Sequence, residues 1–190
     1  MIVALMGVCG SGKTAVGQAL AADLEWPFFD GDDFHPPANV AKMAAGAPLT
    51  DADRWPWLDR LAAEMAAMNE RGADAVLACS ALKQAYRDRL SRAGNVRFVH
   101  LSGDYDTIAS RLAARSHRYM PPTLLASQFA TLEAPKDAIV IDVRDNIPVQ
   151  IAKIRAALQL ATSMGPASTG PSVPVHCAPP EGGPTIGKDR

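Results

Sequence analysis

Five short apolar runs recur along the chain: "IVALMG" from Ile2, "PFFD" ending at Asp30, "AVLACS" from Ala75, "VRFVHL" from Val96 and "AIVIDV" from Ala138. Each has the length of a buried strand rather than of a helix. Between them, apolar residues return every three or four positions, which predicts helices over about Lys13–Glu25, Trp55–Arg71, Gln84–Ala93, Tyr105–Ala114 and Pro148–Leu160. Strands that alternate with helices in this way predict an α/β fold, a parallel five-stranded sheet covered by helices on both faces. In such sheets ligands bind at the carboxyl ends of the strands, so the residues that follow each run carry the most information. From Ala161 the pattern stops: the last thirty residues hold six prolines and five glycines without apolar periodicity. They read as a disordered tail over 161–190, leaving one domain over 1–160. His176 and Cys177 lie in that tail, where two ligands on a flexible segment do not make a metal site.

The first run leads into "GVCGSGKT", Gly7 to Thr14. Gly7, Gly12, Lys13 and Thr14 occupy the fixed positions of G-x-x-x-x-G-K-[ST], a phosphate-binding P-loop in its required strand-loop-helix setting. Gly10 and Ser11 complete the turn. Glycines allow successive N–H groups to turn inward around an anion, and the following helix points its positive end at the same place. The motif predicts that Lys13 reaches the β- and γ-phosphates of ATP and that the Thr14 hydroxyl binds Mg²⁺.

Composition narrows the partners. Nineteen basic residues against twenty acidic ones give a net charge of −1 over 190 residues, so no overall positive field draws nucleic acid or an anionic membrane. The N-terminal apolar run is too short for a membrane span and lacks a basic flank, which makes it a strand rather than a signal peptide. Cys9, Cys79 and Cys177 form no C-x-x-C pair, and this usage fits a reducing cytoplasmic setting.

Asp30, Asp32 and Asp33 cluster where the second strand ends. A P-loop enzyme needs a carboxylate near Mg²⁺ and another to orient or deprotonate an acceptor hydroxyl. The third strand runs into "ACSALK" without a carboxylate, so the second-strand aspartates are expected to supply both, Asp30 at the metal and Asp32 at the acceptor. Asp33 reads as a solvated turn residue. Asp142 in "AIVIDV" matches an apolar-run-then-Asp pattern better, but it stands on the last strand and ranks below Asp32.

The stretch "DGDDFHPPANVAKMAAGAPLTDADRWPWL" resembles the signature of the gluconokinases, a branch of the P-loop kinases, at Asp30, Asp32, His35, Asn39, Lys42, Asp51, Asp53, Arg54, Pro56 and Trp57 among others. "CSALKQAYRDRL" and "LLASQFATLEAP" look like further blocks of the same family, and the resemblance covers about residues 2 to 160. It implies ATP-dependent phosphorylation of D-gluconate on its 6-hydroxyl, giving 6-phospho-D-gluconate and ADP, and a homodimer as one expected assembly.

A sugar acid needs a cation for its carboxylate. His35, Arg54, Lys83 and Arg87 lie next to strand ends, and Arg54 is the leading candidate because a guanidinium makes paired hydrogen bonds to a carboxylate. Trp55 and Trp57 read as core. In "SRLAARSHRYMPPTLL", Arg111 and Arg115 fall four apart on one helical face and are expected to converge on the transferring phosphoryl group from a mobile lid over about 111–125. Relatives carry Gly-His where this chain has Ser116, His117 and Arg118, so no roles are carried over for His117 and Arg118. Three rival readings differ in testable ways. A shikimate kinase-like enzyme shares Asp-x-Asp after the second strand but not "DADRWPWL". A nucleotide-dependent regulatory switch needs Asp-x-x-Gly and Asn/Thr-Lys-x-Asp motifs in context. A nucleic-acid kinase needs a basic, aromatic-interleaved surface.

Overall fold

The computed structural model describes residues 1–114 and 122–160. Five parallel strands, β1 (Ile2–Met6), β2 (Phe28–Asp30), β3 (Ala75–Ala78), β4 (Val96–Ser102) and β5 (Ile139–Asp142), form one sheet in the order β2-β3-β1-β4-β5. β1 lies at its centre and is buried throughout. Because strand side chains alternate, Val3 and Leu5 face one layer with Val99, Leu101 and Ile141, while Ile2 and Met6 face the other with Leu77. The first layer packs on α1 (Lys13–Leu24), α5 (Tyr105–Ala114) and α7 (Ile147–Leu158) through Leu20, Ile108 and Ile154. The second packs on α3 (Asp51–Glu70) and α4 (Gln84–Ser91) through Trp57, Leu58, Leu61 and Leu90. The α/β architecture expected from the alternating pattern is the one observed.

Three departures concern what lies between strands. A 3₁₀ turn (Gly31–Phe34) and α2 (Pro37–Ala44) follow β2, and α6 (Pro122–Thr131) precedes β5. The periodic pattern did not predict them. Only Asn39 of α2 is buried, while Val40 and Met43 face solvent, so the helix has no apolar stripe to read. The third departure is α3, which starts at Asp51, four residues before the expected Trp55. Thr50 and Asp53 form a reciprocal capping box that sets this start, and Pro56 is accommodated inside the helix. Lys42 of α2 meets Asp53 at 2.7 Å and holds its carboxyl well below the usual range, tying α2 to the head of α3.

No helix among the described residues is long and apolar enough to cross a membrane. The expected tail over 161–190 lies outside the described residues.

Candidate active site

The P-loop joins the centre of the sheet to α1. Gly7, Gly10 and Gly12 all take positive φ, the conformations that fold the loop back on itself. Gly10 combines a φ of +82° with close packing, since a Cβ there would stand 2.6 Å from Leu112 Cγ. Two observations fit this cradle to an anion. The N–H groups of Gly12, Lys13 and Thr14 have no protein acceptor among the described residues, as expected at a helix start. Ser11 Oγ is buried inside the loop and has no hydrogen-bond partner among the described residues. The Lys13 ammonium arches over the loop and donates to the carbonyls of Gly7 and Val8, both at 3.0 Å. Burial pushes its pKa down.

Beside the loop, Thr14 Oγ1 donates to Asp30 Oδ2 at 3.0 Å, and Asp30 Oδ1 accepts from the Asp32 N–H at 3.1 Å. Although β3 separates β2 from β1, the first residues of α1 project over β3 and bring the two motifs together. A hydroxyl paired with a carboxylate is a hard oxygen donor set, and it fits Mg²⁺ in the metal position assigned to these two residues. Asp32 extends into the open, with 81 % of its side chain accessible. Desolvation and the Asp30 charge both push its carboxyl above the ordinary value, and with so much of the side chain accessible the neighbouring charge is the firmer cause.

His35 lies behind Asp32, its Nε2 4.0 Å from Asp32 Oδ1. Its ring stacks on Trp57 at 4.1 Å, and its Nδ1 meets Asn39 Nδ2 at 3.3 Å. Asn39 also donates to the Asp53 carbonyl at 2.8 Å, and Trp57 Nε1 donates to the Gly31 carbonyl at 2.7 Å. Trp57 is therefore core, as its sequence position indicated, and it also fixes the turn that carries Asp32. Burial, then the Arg54 charge, pushes the His35 pKa down to about 4, so the imidazole is neutral at pH 7.

A cationic corner forms where the head of α3 meets the loop after β3. Lys83 Nζ donates to both Asp51 oxygens at 2.8 and 2.7 Å, and the Tyr86 hydroxyl donates to Asp51 Oδ1 at 2.5 Å. Arg54 lies over the Tyr86 ring at 5.8 Å and donates through Nη1 to the Leu49 carbonyl at 2.6 Å. Its Nη1 is 4.0 Å from Asp51. With one carboxylate against Lys83 and Arg54, the corner retains one positive charge. Arg87 is different. It is buried, and its two terminal nitrogens donate to the carbonyls of Ala81, Leu82 and Glu133 and to Gln84 Oε1. The structure thus makes Arg87 a brace of the β3–α4 loop, its terminal N–H groups already engaged by the protein.

Arg111 donates to the Val143 carbonyl beyond β5. Its proposed partner Arg115 lies outside the described residues, as do His117, Arg118 and the rest of residues 115–121 of the expected lid. Asp142 is gripped by Arg144 through both carboxylate oxygens, which lowers its pKa to about 2, and it sits on the edge strand two places from β1. β2 lies as far from β1 on the other side, so what sets Asp142 apart is its engagement by Arg144, whereas Asp30 meets Thr14 of the P-loop. Sequence reasoning missed the positioning roles of Asp51, Tyr86 and Asn39. Asp51 and Lys83 are 32 residues apart, and no local periodicity links them.

The sheet order, the P-loop and the carboxylates after β2 together define a P-loop small-molecule kinase. The profile of the shikimate kinase family matches residues 9–136. The chain is 43 % identical over 159 residues to the thermosensitive gluconokinase of Escherichia coli (strain K12), covering 81 % of this chain and 85 % of that one. It is 49 % identical over 135 residues to a gluconokinase of Gluconobacter oxydans, covering 70 % and 75 %. A solved gluconokinase structure from Sinorhizobium meliloti 1021 matches with a TM-score of 0.76 at 40 % identity, covering 83 % of this chain and 90 % of that one. The chain belongs to the gluconokinase family of P-loop kinases.

Proposed function

We propose that the protein transfers the γ-phosphoryl group of ATP to the 6-hydroxyl of D-gluconate, giving 6-phospho-D-gluconate and ADP. The observation that carries this reading is a row of neighbouring groups, from Thr14 and Asp30 through Asp32 and His35 to Arg54, with two unlike ends. At one end are the P-loop and the Thr14–Asp30 pair, and at the other is the Arg54–Lys83–Tyr86 corner with its residual positive charge. The likeness to proteins named gluconokinase supports the same acceptor.

In this mechanism the N–H groups of Gly12, Lys13 and Thr14 bind the phosphate chain, and the buried Ser11 Oγ adds a donor inside the cradle. Lys13, held over the loop mouth, balances negative charge on the transferring group. Mg²⁺ bound at Thr14 and Asp30 supplies further neutralisation of the phosphate oxygens. Asp32 orients the acceptor hydroxyl and takes its proton, a role helped by its raised pKa. Neutral His35 offers a hydrogen bond to the polyol without adding charge, Arg54 grips the carboxylate and Lys83 flanks it. Arg111, with Arg115, stabilises the phosphoryl group from the lid side. Catalysis by such a site is chiefly positioning and charge neutralisation.

The match to the shikimate kinase profile makes shikimate the competitor to test. ADP release should be measured with ATP, Mg²⁺ and a panel of sugar acids plus shikimate. Turnover confined to gluconate and its near relatives is expected, and preference for shikimate would overturn the assignment.

A further inference from the structure

The P-loop is held from outside by two helices that the phosphate-binding motif does not include. Leu112 of α5 fills the space over Gly10, and Gln128 of α6 accepts a hydrogen bond from the Cys9 N–H through Oε1 at 2.6 Å, a contact across 119 positions of sequence. Only the oxygen end of a carboxamide accepts, so this bond fixes the orientation of the Gln128 side chain. It also fixes the Cys9 peptide, which has no other acceptor among the described residues. The next residue is Gly10, with a φ of +82° and wide conformational freedom of its own. A loop whose later N–H groups must converge on one anion binds better when a preceding peptide is already fixed, because less freedom is lost on binding.

We propose that Gln128 is a positioning residue of the nucleotide site: it clamps the Cys9 peptide so that the N–H groups from Gly12 to Thr14 are pre-aligned for the triphosphate. The proposal rests on the P-loop reading and is independent of the acceptor's identity. Gln128 is only half-buried, so its variants should fold. Gln128→Met keeps the length and removes the acceptor, whereas Gln128→Glu keeps an acceptor and adds a negative charge beside the loop. The full chain should be titrated with N-methylanthraniloyl-ATP without acceptor, then assayed for both Michaelis constants, melting temperature and amide exchange at Cys9. For Gln128→Met, loss of one net hydrogen bond should weaken nucleotide binding and raise the ATP KM by about fivefold. Cys9 exchange should accelerate, and gluconate KM should stay within about twofold. Gln128→Glu should restore Cys9 protection while nucleotide affinity stays low through charge repulsion. An unchanged nucleotide affinity in Gln128→Met, with or without a lower melting temperature, would reduce Gln128 to an anchor of α6 and overturn the proposal. A wild-type chain that does not bind the nucleotide probe would overturn both this proposal and the P-loop reading.

Discussion

Two arginines that look alike in the sequence are predicted to fail in opposite ways. Arg54 engages the protein through a hydrogen bond to Leu49, its stacking on Tyr86 and a 4.0 Å approach to Asp51. Removing it costs roughly 1 kcal/mol of stability. If its guanidinium also pairs with the gluconate carboxylate, Arg54→Ala loses charge-assisted bonds of about 1.5–3 kcal/mol, which raises gluconate KM about ten- to a hundredfold and leaves ATP KM in place. Arg54→Lys should recover only part of that loss, because a point charge cannot make the paired contact. Arg87→Met strands the buried carbonyls of Ala81 and Leu82 and also removes the bonds to the more exposed Glu133 carbonyl and Gln84 side chain. At roughly 1–3 kcal/mol for each unsatisfied buried group, discounted for relaxation, the fold loses about 3–5 kcal/mol. For a domain of this size that is on the order of 10 °C in melting temperature. Gluconate KM, measured below the transition, should hardly change. Melting curves and both Michaelis constants for the three variants provide the assay. An unchanged gluconate KM in folded Arg54→Ala, or a raised one in Arg87→Met with an intact melting temperature, would refute the reasoning.

Lys13→Met should fold normally and lose roughly 10²-fold or more in kcat, since the ammonium held over the loop mouth is lost; near-normal turnover in steady-state assays would remove the P-loop from the chemistry. Asp32→Asn should depress kcat while ATP binding is retained, whereas Asp142→Asn, whose carboxylate is already engaged by Arg144, should be mild; reversed severities in paired kinetics would place the key carboxylate on β5. His35 gives a pH dependence of stability. Its folded pKa of about 4 lies below the ordinary 6.5, so the unfolded chain binds more protons between these values, and stability should fall as pH drops through that window by up to about 3 kcal/mol. Arg54 opposes protonation, and Asp32 at 4.0 Å is too exposed to offset it. Denaturant melts of wild type and His35→Gln between pH 4 and 7 should show a shallower slope in the variant, and equal slopes would assign the dependence elsewhere.

The sequence by itself determined the sheet, the phosphate cradle and the two aspartates after β2. Strand alternation, glycine spacing and an acidic cluster next to a strand end are local features, each written in consecutive residues. It also suggested Arg54 and Arg87 as equals, because both are basic residues near strand ends. Tertiary structure separated them: the β3–α4 loop and Glu133, 46 residues beyond Arg87, close around one guanidinium, while the other stays against Tyr86. α2 escaped the pattern because its exposed Val40 and Met43 follow no core-facing stripe; it is held instead by Asn39 and Lys42 reaching the head of α3. The pairing of Thr14 with Asp30 was predictable in kind but not in geometry, since it depends on α1 crossing β3 to reach a strand that is not its neighbour in the sheet. Local propensity is encoded within a few residues, whereas the partner that satisfies a buried charge or peptide is chosen by packing between segments far apart in the chain. That is why the motifs were legible from the sequence and the bonds that orient them, from Asp51 to Lys83 and from Gln128 to Cys9, were not.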